Sequence, residues 1–362
     1  MVAQKGAVIV LVANQEITQN VPTVVATITI LQGEKIMLKV IELFAGIGAP
    51  SMALTNCNIP HEIIGISEIE KQSVKAYELF HGPVENFGDI SKIKELPPCD
   101  FIHASSPCQS FSPAGKREGL RGESGLLLDF YRLMNNYYER GCLPTFVSYE
   151  NVPEMKLLFP EVFDEFCKKF DEWGYNLYWD ILECYKFGSP TLRKRLFAIA
   201  ILKEKDNGLF KMPKESKISE SMEEFLWPTE KVDASFYCKP DIIFHPAKKE
   251  KVNRGQYIGY LELGVNVRNQ SNRVYDRDDL CPTITAAGSN FWIKESNSYR
   301  KVMPVELWCM SGFSLDQFKI MQDNFAKTRI IKMLGNSIPL GPLEAIYNEL
   351  KKCFSFVREV KI

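Results

Sequence analysis

A cysteine presented directly after a proline, Pro107-Cys108, sits in the stretch Ala104-Ser-Ser-Pro-Cys-Gln-Ser-Phe-Ser112. Glu150-Asn151-Val152 follows, and then Arg193 and Arg195 in Pro190-Thr-Leu-Arg-Lys-Arg195. A thiolate, a carboxyl group and a cation are what attack on a pyrimidine ring needs. The C5 carbon of cytosine is a poor nucleophile. Thiolate addition at C6 saturates the 5,6 bond and moves electron density to C5, which can then take a methyl group. A carboxyl group facing N3 and the exocyclic amine, and a cation near O2, stabilise that adduct. Cys108 can be the first, Glu150 the second, and Arg193 or Arg195 the third. A base must then remove the C5 proton so that the thiolate leaves. No histidine is placed for this, so an ordered water is the default. Glu150 works best when shielded, because burial favours the protonated carboxyl; arginines nearby favour the Cys108 thiolate. Each feature alone has a plainer reading: a buried cysteine, a strand-end cap, a solvated basic face. Their order behind a glycine turn favours chemistry.

That turn is Phe44-Ala45-Gly46-Ile-Gly48, which follows an apolar stretch and opens a helix. Glycines there allow a tight turn and close approach of backbone to a ligand. Glu68 lies twenty residues past Gly48, at the end of the next strand, where a carboxylate hydrogen-bonds ribose hydroxyls. Ser51 stands where a dinucleotide fingerprint has its third glycine. A cofactor with an adenosine and no pyrophosphate, S-adenosyl-L-methionine, fits better than a nicotinamide dinucleotide. A plain tight turn is the alternative for the glycines alone.

Strands alternating with helices must position these residues. Residues 38–44, 62–67, 99–104, 146–150, 177–183 and 196–202 read as strands; a helix starting near Pro50 and helices over 70–81, 125–140 and 160–173 lie between them. The expected fold class is therefore α/β with a doubly wound sheet. The pattern dissolves over 203–272, read as a small, largely irregular module, and returns at Arg273 to end in a helix near 341–354. The first domain, 37–202, is thus interrupted and then completed by 273–362. Residues 1–36 hold a short apolar run, Ala7 to Ala13, and an alternating stretch, Val24 to Ile30. A weak secretory core is one reading of the run; an extension ahead of a core that starts at Met37 is the preferred one.

The 362-residue chain has a formal net charge of −1, so no global basic field points to nucleic acid, although a local cleft can still be basic. Ten cysteines are scattered without a Cys-x-x-Cys pair, and the four histidines show no ligand spacing, so no metal is expected. Reduced, inert thiols other than Cys108 suit a cytoplasmic protein. No apolar run reaches membrane-spanning length.

Taken together these blocks resemble the C5-cytosine DNA methyltransferases of bacterial and phage restriction-modification type, over residues 38–354. Glu42-Leu-Phe-Ala-Gly-Ile-Gly-Ala49 is similar to the first block, which more often begins with Asp. The resemblance implies a Rossmann-like, S-adenosylmethionine-dependent methyltransferase sheet with a target-recognition domain at 203–272. It implies cofactor contacts from Phe44, Ala45, Gly46, Gly48, Glu68, Asp89, Ile90, Pro107, Leu127, Asn336 and Ser337, with Ile69 replacing the usual aromatic. Thr191 and Lys194 stand where glutamine and glutamate are usual. Arg273 to Thr283 resembles the block that braces the recognition module. The target cytosine is expected to rotate out of double-stranded DNA, because Cys108 cannot reach C6 inside the stack. Gln270 matches a glutamine that fills the resulting void in a related enzyme; an exposed loop amide is the equal alternative. Ser112, Lys116, Arg117, Arg121, Arg254 and Arg273 are further DNA-contact candidates, with Arg117 or Arg121 at the phosphate because Ser124 departs from the usual arginine. Lys248, Lys249, Lys251, Gln256, Arg268 and Asn269 complete the candidates for base edges or phosphates.

The nearest rival is the same chemistry on RNA, which would bring a smaller recognition module and a Cys-Phe-Thr signature that this chain lacks. A DNA-binding module without catalysis would have lost the cysteine or the acid. A nicotinamide-dependent dehydrogenase is suggested only by the glycine turn, and this chain offers no convincing general acid–base histidine for it. A monomer is the default, and a cognate restriction endonuclease is a candidate partner.

Overall fold

The computed structural model describes residues 7–18, 21–32, 37–106, 125–247, 254–263, 270–286 and 291–356, with side chains from residue 37 to residue 354. It divides into two compact units, Met1–Met37 and Leu38–Ile362. The first is a hairpin of β1 (Ala7–Thr18) and β2 (Val21–Gln32), antiparallel with Ala7 opposite Gln32. Its second strand covers the stretch whose alternation marked it in the sequence.

The second unit is built on a six-stranded sheet. Its strands are β3 (Leu38–Leu43), β4 (His61–Ser67), β5 (Phe101–Ala104), β6 (Phe146–Asn151), β7 (Tyr175–Glu183) and β8 (Lys194–Leu202), in the order β4-β3-β5-β6-β8-β7. The four strands β4, β3, β5 and β6 pair in parallel, and β8 runs antiparallel to both β6 and β7. Helices α1 (Ala49–Asn56), α2 (Lys71–His81), α3 (Gly125–Glu139), the short α4 (Glu154–Leu157) and α5 (Pro160–Glu172) lie between the strands in sequence. Both faces of the sheet are apolar at a period of two. Leu38, Val40, Phe101, Phe146, Phe197 and Ile199 belong to one core cluster; Ile41, Leu43, Ile102, Val147, Tyr149 and Ala198 belong to the other. On α5, Val162, Phe163, Phe166 and Phe170 are all buried, as their helical spacing predicts. The winding reverses between β3 and β5, and an open α/β sheet binds ligands at the carboxyl ends beside such a reversal. Phe44, Glu68, Ser105 and Glu150 all lie at those ends.

The stretch after β8 differs from expectation. No helix or strand longer than a single turn occurs over 203–243, yet Phe210 and Met222 are fully buried in the first core cluster. Five short strands then form one sheet: β9 (Phe244–Pro246), β10 (Gly259–Leu261), β11 (Arg273–Tyr275), β12 (Trp292–Lys294) and β13 (Tyr299–Lys301), in reverse order along the sheet. This sheet spans the expected boundary at 272/273, because β10 pairs with β11. The buried pair Arg300–Glu306, at 2.8 Å, ties β13 to α6 (Pro304–Met310), and Trp227 N–H donates to Glu306 at 2.7 Å. Helices α7 (Leu315–Asn324), α8 (Lys327–Asn336) and α9 (Leu340–Leu350) complete the unit. Among the described residues no helix is long and apolar enough to cross a membrane, and no cluster of His, Cys, Asp or Glu could hold a metal.

Candidate active site

The turn between β3 and α1 is built from left-handed backbone. Phe44, Gly46 and Gly48 have φ of 58°, 56° and 80°. Such a φ is costly for a phenylalanine and persists where surrounding structure enforces it. Gly48 is required by packing: a Cβ there would lie 2.3 Å from His81 Nε2 and 2.8 Å from the Tyr77 ring. Gly46 is different. Nothing lies within 4 Å of a Cβ built on it, and it lines a cavity, so its missing side chain leaves ligand space.

That cavity, of about 310 Å³, is of ligand size. Phe44, Gly46, Glu68, Ile69, Asp89, Ile90 and Asn336 line it, together with Glu150, Arg193 and Arg195. The Glu68 carboxylate is fixed by main-chain donors: Gly46 N–H at 2.9 Å and Glu70 N–H at 2.7 Å. Asp89 caps the next turn, accepting from Ser91 N–H at 3.0 Å and Ser91 Oγ at 2.7 Å; these bonds, with Lys92 nearby, hold its carboxyl below the usual range. Ile69 is 74% exposed. Four cofactor candidates sit elsewhere. Ala45 packs with Ile66 and Tyr77, and Gly48 serves the contact between α1 and α2. Leu127 is buried in the second core cluster, and its neighbour Leu126 lines the cavity instead, because α3 turns residue 127 toward the sheet. Ser337 is buried, with its carbonyl accepting from Arg193. Pro107 lies outside the described residues.

Glu150, in the lining of the cavity, is the penultimate residue of β6. It is 7% exposed and pairs with Arg195 from the adjacent β8, Oε1 to Nε at 2.9 Å. Arg193, two residues earlier on the approach to β8, lines the same cavity and is held by main-chain contacts. Its guanidinium donates to the carbonyls of Ile284 (3.1 Å), Gly335 (2.9 Å) and Ser337 (2.8 Å). These bonds fix the end of α8, which presses so closely on the 284–286 segment that a Cβ on Gly335 would meet Ala286 N at 2.3 Å. Of the two arginines offered as the cation, Arg195 is the one paired with Glu150, while Arg193 donates to main-chain carbonyls. Lys194 pairs with Glu183 Oε1 at 2.5 Å, and Thr191 is buried in a bridge to Cys281.

Cys108, with Ser112, Lys116, Arg117 and Arg121, lies outside the described residues. The chain leading to it is anchored. Ser106 Oγ is 2.6 Å from Tyr149 OH, and Asn151 Nδ2 donates to Ser106 Oγ at 3.1 Å. Asn151 thus joins the acid's strand to the cysteine's, a role that reading Glu-Asn-Val for its carboxylate alone missed.

A second omission lies beneath the turn. Glu42 is fully buried, accepts from Ser51 Oγ, and has one oxygen with no partner among the described residues. Ser51 Oγ is 3.0 Å from Tyr77 OH, so the residue in place of a third glycine ties α1 to β3 and α2. Burial pushes the Glu42 carboxyl up to about 7, against the lowering effect of its hydrogen bonds. In register beside Glu42, His103 is buried with Nδ1 3.1 Å from Ser148 Oγ; burial lowers it to about 3.

Of the DNA-contact candidates, Arg254 pairs with Glu220 at 3.1 Å, Arg273 lies over the Tyr257 ring at 4.9 Å, and Gln270 Nε2 donates to Thr283 O at 3.4 Å. Gln256 is described; Lys248, Lys249, Lys251, Arg268 and Asn269 are outside the described residues.

The chain is similar to known proteins. Residues 38–352 match the family described as C-5 cytosine-specific DNA methylase. The type II methyltransferase M2.ScrFI of Lactococcus lactis subsp. cremoris is 27% identical, over 87% of this chain and 99% of its own length. The orphan methyltransferase M.SPRI of Bacillus phage SPR is 30% identical, over 82% and 75%. Among solved structures, the Dnmt2 methyltransferase of S. pombe superposes with a TM-score of 0.67 at 21% identity, covering 88% of this chain and all of that one. The chain belongs to the C-5 cytosine-specific DNA methylase family and is a DNA cytosine-5-methyltransferase.

Proposed function

We propose that this chain transfers a methyl group from S-adenosyl-L-methionine to C5 of cytosine at a specific sequence in double-stranded DNA, through covalent attack of Cys108 on C6 of a base rotated out of the helix. The observation that carries this is the shared cavity: Glu150, held by Arg195, and Glu68, held by the glycine turn, face one space at the carboxyl ends of the sheet. The residues fit the cofactor. Phe44, the open face of Gly46, Glu68, Ile69 and Asn336 would hold it, with Glu68 on the ribose hydroxyls. When bound, it supplies an electrophilic methyl group.

The chain's own residues do the rest. Cys108 follows, by two residues, the Ser106 that lines the cavity. Its thiolate adds to C6, and the electron pair of the 5,6 bond moves to C5. Glu150, oriented by the 2.9 Å contact with Arg195, binds N3 and the exocyclic amine, and Arg195 faces the base edge. After C5 has gained its methyl group, a water removes the C5 proton. The pair left behind reforms the double bond and expels the thiolate. The β9–β13 sheet and the segments beside it serve target recognition, with Gln270 entering the space of the displaced base. A single copy acts on one strand at a time.

Labelled S-adenosylmethionine and duplex DNA test the reading. Label at C5 of cytosine is expected. Label on RNA alone, or none, overturns it. Cys108→Ser should abolish the adduct with 5-fluorocytosine DNA while keeping cofactor binding; methylation near the parental rate by that variant would show the nucleophile to be another residue.

A further inference from the structure

The rim of the cofactor cavity carries a group of charges that the reaction does not use. Arg329 and Lys332 lie three residues apart on α8, and both line the cavity with Met333 and Asn336 from the same helix. Across the opening stands Glu70, the residue after exposed Ile69. Its Oε2 is 3.6 Å from Arg329 Nη1 and 3.6 Å from Lys332 Nζ. Glu70 is also tied inward, because its own N–H donates to Glu68 Oε1 at 2.7 Å. The contacts therefore run in series from α8 through Glu70 to Glu68, the carboxylate beside the glycine turn. The other end of α8 is fixed to the approach of β8 by Arg193 through the Gly335 and Ser337 carbonyls. Breaking the Glu70 contacts frees one side of the rim and leaves the other anchored.

We propose that Glu70, Arg329 and Lys332 form an ion-pair strap over the rim of the cavity, positioning Glu68 for the cofactor's ribose and slowing the cofactor's escape. This rests on the reading that the cavity takes S-adenosylmethionine. All three side chains are between a third and a half exposed, so the strap is weak and opens often. Such a strap controls residence more than it controls shape. Its strength depends on charge, and salt screens charges at an exposed rim. Glu68, the carboxylate assigned to the ribose hydroxyls, is the lining residue to which Glu70 is directly bonded.

The test is binding of S-adenosylmethionine and its demethylated product to the full chain, by equilibrium titration and stopped-flow release, at about 0.05 M and about 0.5 M salt. For Glu70→Gln the expected result is a dissociation constant raised about three- to tenfold at low salt, most of it in faster release. High salt should bring the wild type to the level of the variant. In turnover, KM for the cofactor should rise more than kcat falls. Exchanging the charges, Glu70→Lys with Arg329→Glu and Lys332→Glu, should restore slow release. Unchanged release in Glu70→Gln overturns the strap, and so does a loss equal at both salt concentrations, which marks a purely structural effect. A wild-type chain that binds neither compound overturns the cofactor assignment itself and the strap with it.

Discussion

Glu150 and Arg195, both in the lining of the cavity, meet at 2.9 Å, and neither side chain is more than one-seventh exposed. An orienting pair of this kind contributes in the transition state, where charge on the base develops. Arg195→Gln should therefore lower kcat by about 10²–10³ and leave cofactor affinity within about twofold, measured by single-turnover methylation and by titration. Arg193→Lys should act differently. A lysine carries its donors on one atom, whereas two separate guanidinium nitrogens reach these three carbonyls, so the end of α8 loosens and the melting temperature falls along with activity. Glu42 gives a prediction in pH. Its carboxyl titrates near 7 in the fold against 4.5 ordinarily, because it is buried. Below pH 4.5 both folded and unfolded chains carry the proton. Between 4.5 and 7 the unfolded chain releases it first, so stability falls as pH rises, by about 3 kcal/mol at most, and then levels off. His103, lowered by burial to about 3, works in the opposite sense: stability is lost as pH falls from 6.5 toward 3. Glu42→Gln removes only the first effect. Denaturant midpoints should show the variant gaining on the parent steadily from pH 4.5 to 7 and no further above; a constant difference across that window counts against the buried acid.

At the scale of elements, the glycine turn and the strands were legible because their physics is local. Positive φ and close approach call for glycine at 46 and 48, and alternation or helical spacing marks β3 to β8 and α5 within a few residues of chain. That Glu68 and Glu150 line one cavity was legible for a related reason: each lies at the carboxyl end of a strand. What was not legible depends on distant partners. Nothing near Arg193 says that its donors go to residues 284, 335 and 337, and nothing near Phe210 or Met222 says that an irregular stretch is buried against the main core. Leu126 and Leu127 differ only in the rotation of α3, which depends on packing against the sheet. The five-stranded sheet was missed because its strands are three residues long, too short to show a period. Gly335 carries a prediction at this scale. A methyl group added there meets Ala286 N at 2.3 Å, and main chain cannot yield as a flexible side chain can. Gly335→Ala should lower stability by about 1–3 kcal/mol and weaken cofactor binding through displaced Asn336, checked by melting and titration.

For the whole molecule, the division after Met37 separates a two-stranded hairpin from a unit with its own complete sheet order, its own clusters and the whole of the described cavity. The six-stranded sheet is complete in its own order: β3 pairs with β4 on one side and β5 on the other, and β4 and β7 form the edges. Leu38 N–H already bonds inside the second unit, to Pro60 O at 3.0 Å. An isolated two-stranded hairpin is marginally stable in water, so its folding is not expected to hold up a core with two faces of buried aliphatic and aromatic side chains. A chain beginning at Met37 should consequently melt within about 2 °C of the full chain, a difference smaller than about 1 kcal/mol in a molecule of this size. It should also bind S-adenosylmethionine equally well. A fall of about 10 °C or more would show that residues 1–36 supply part of the core, and the separation into two units would then have to be abandoned.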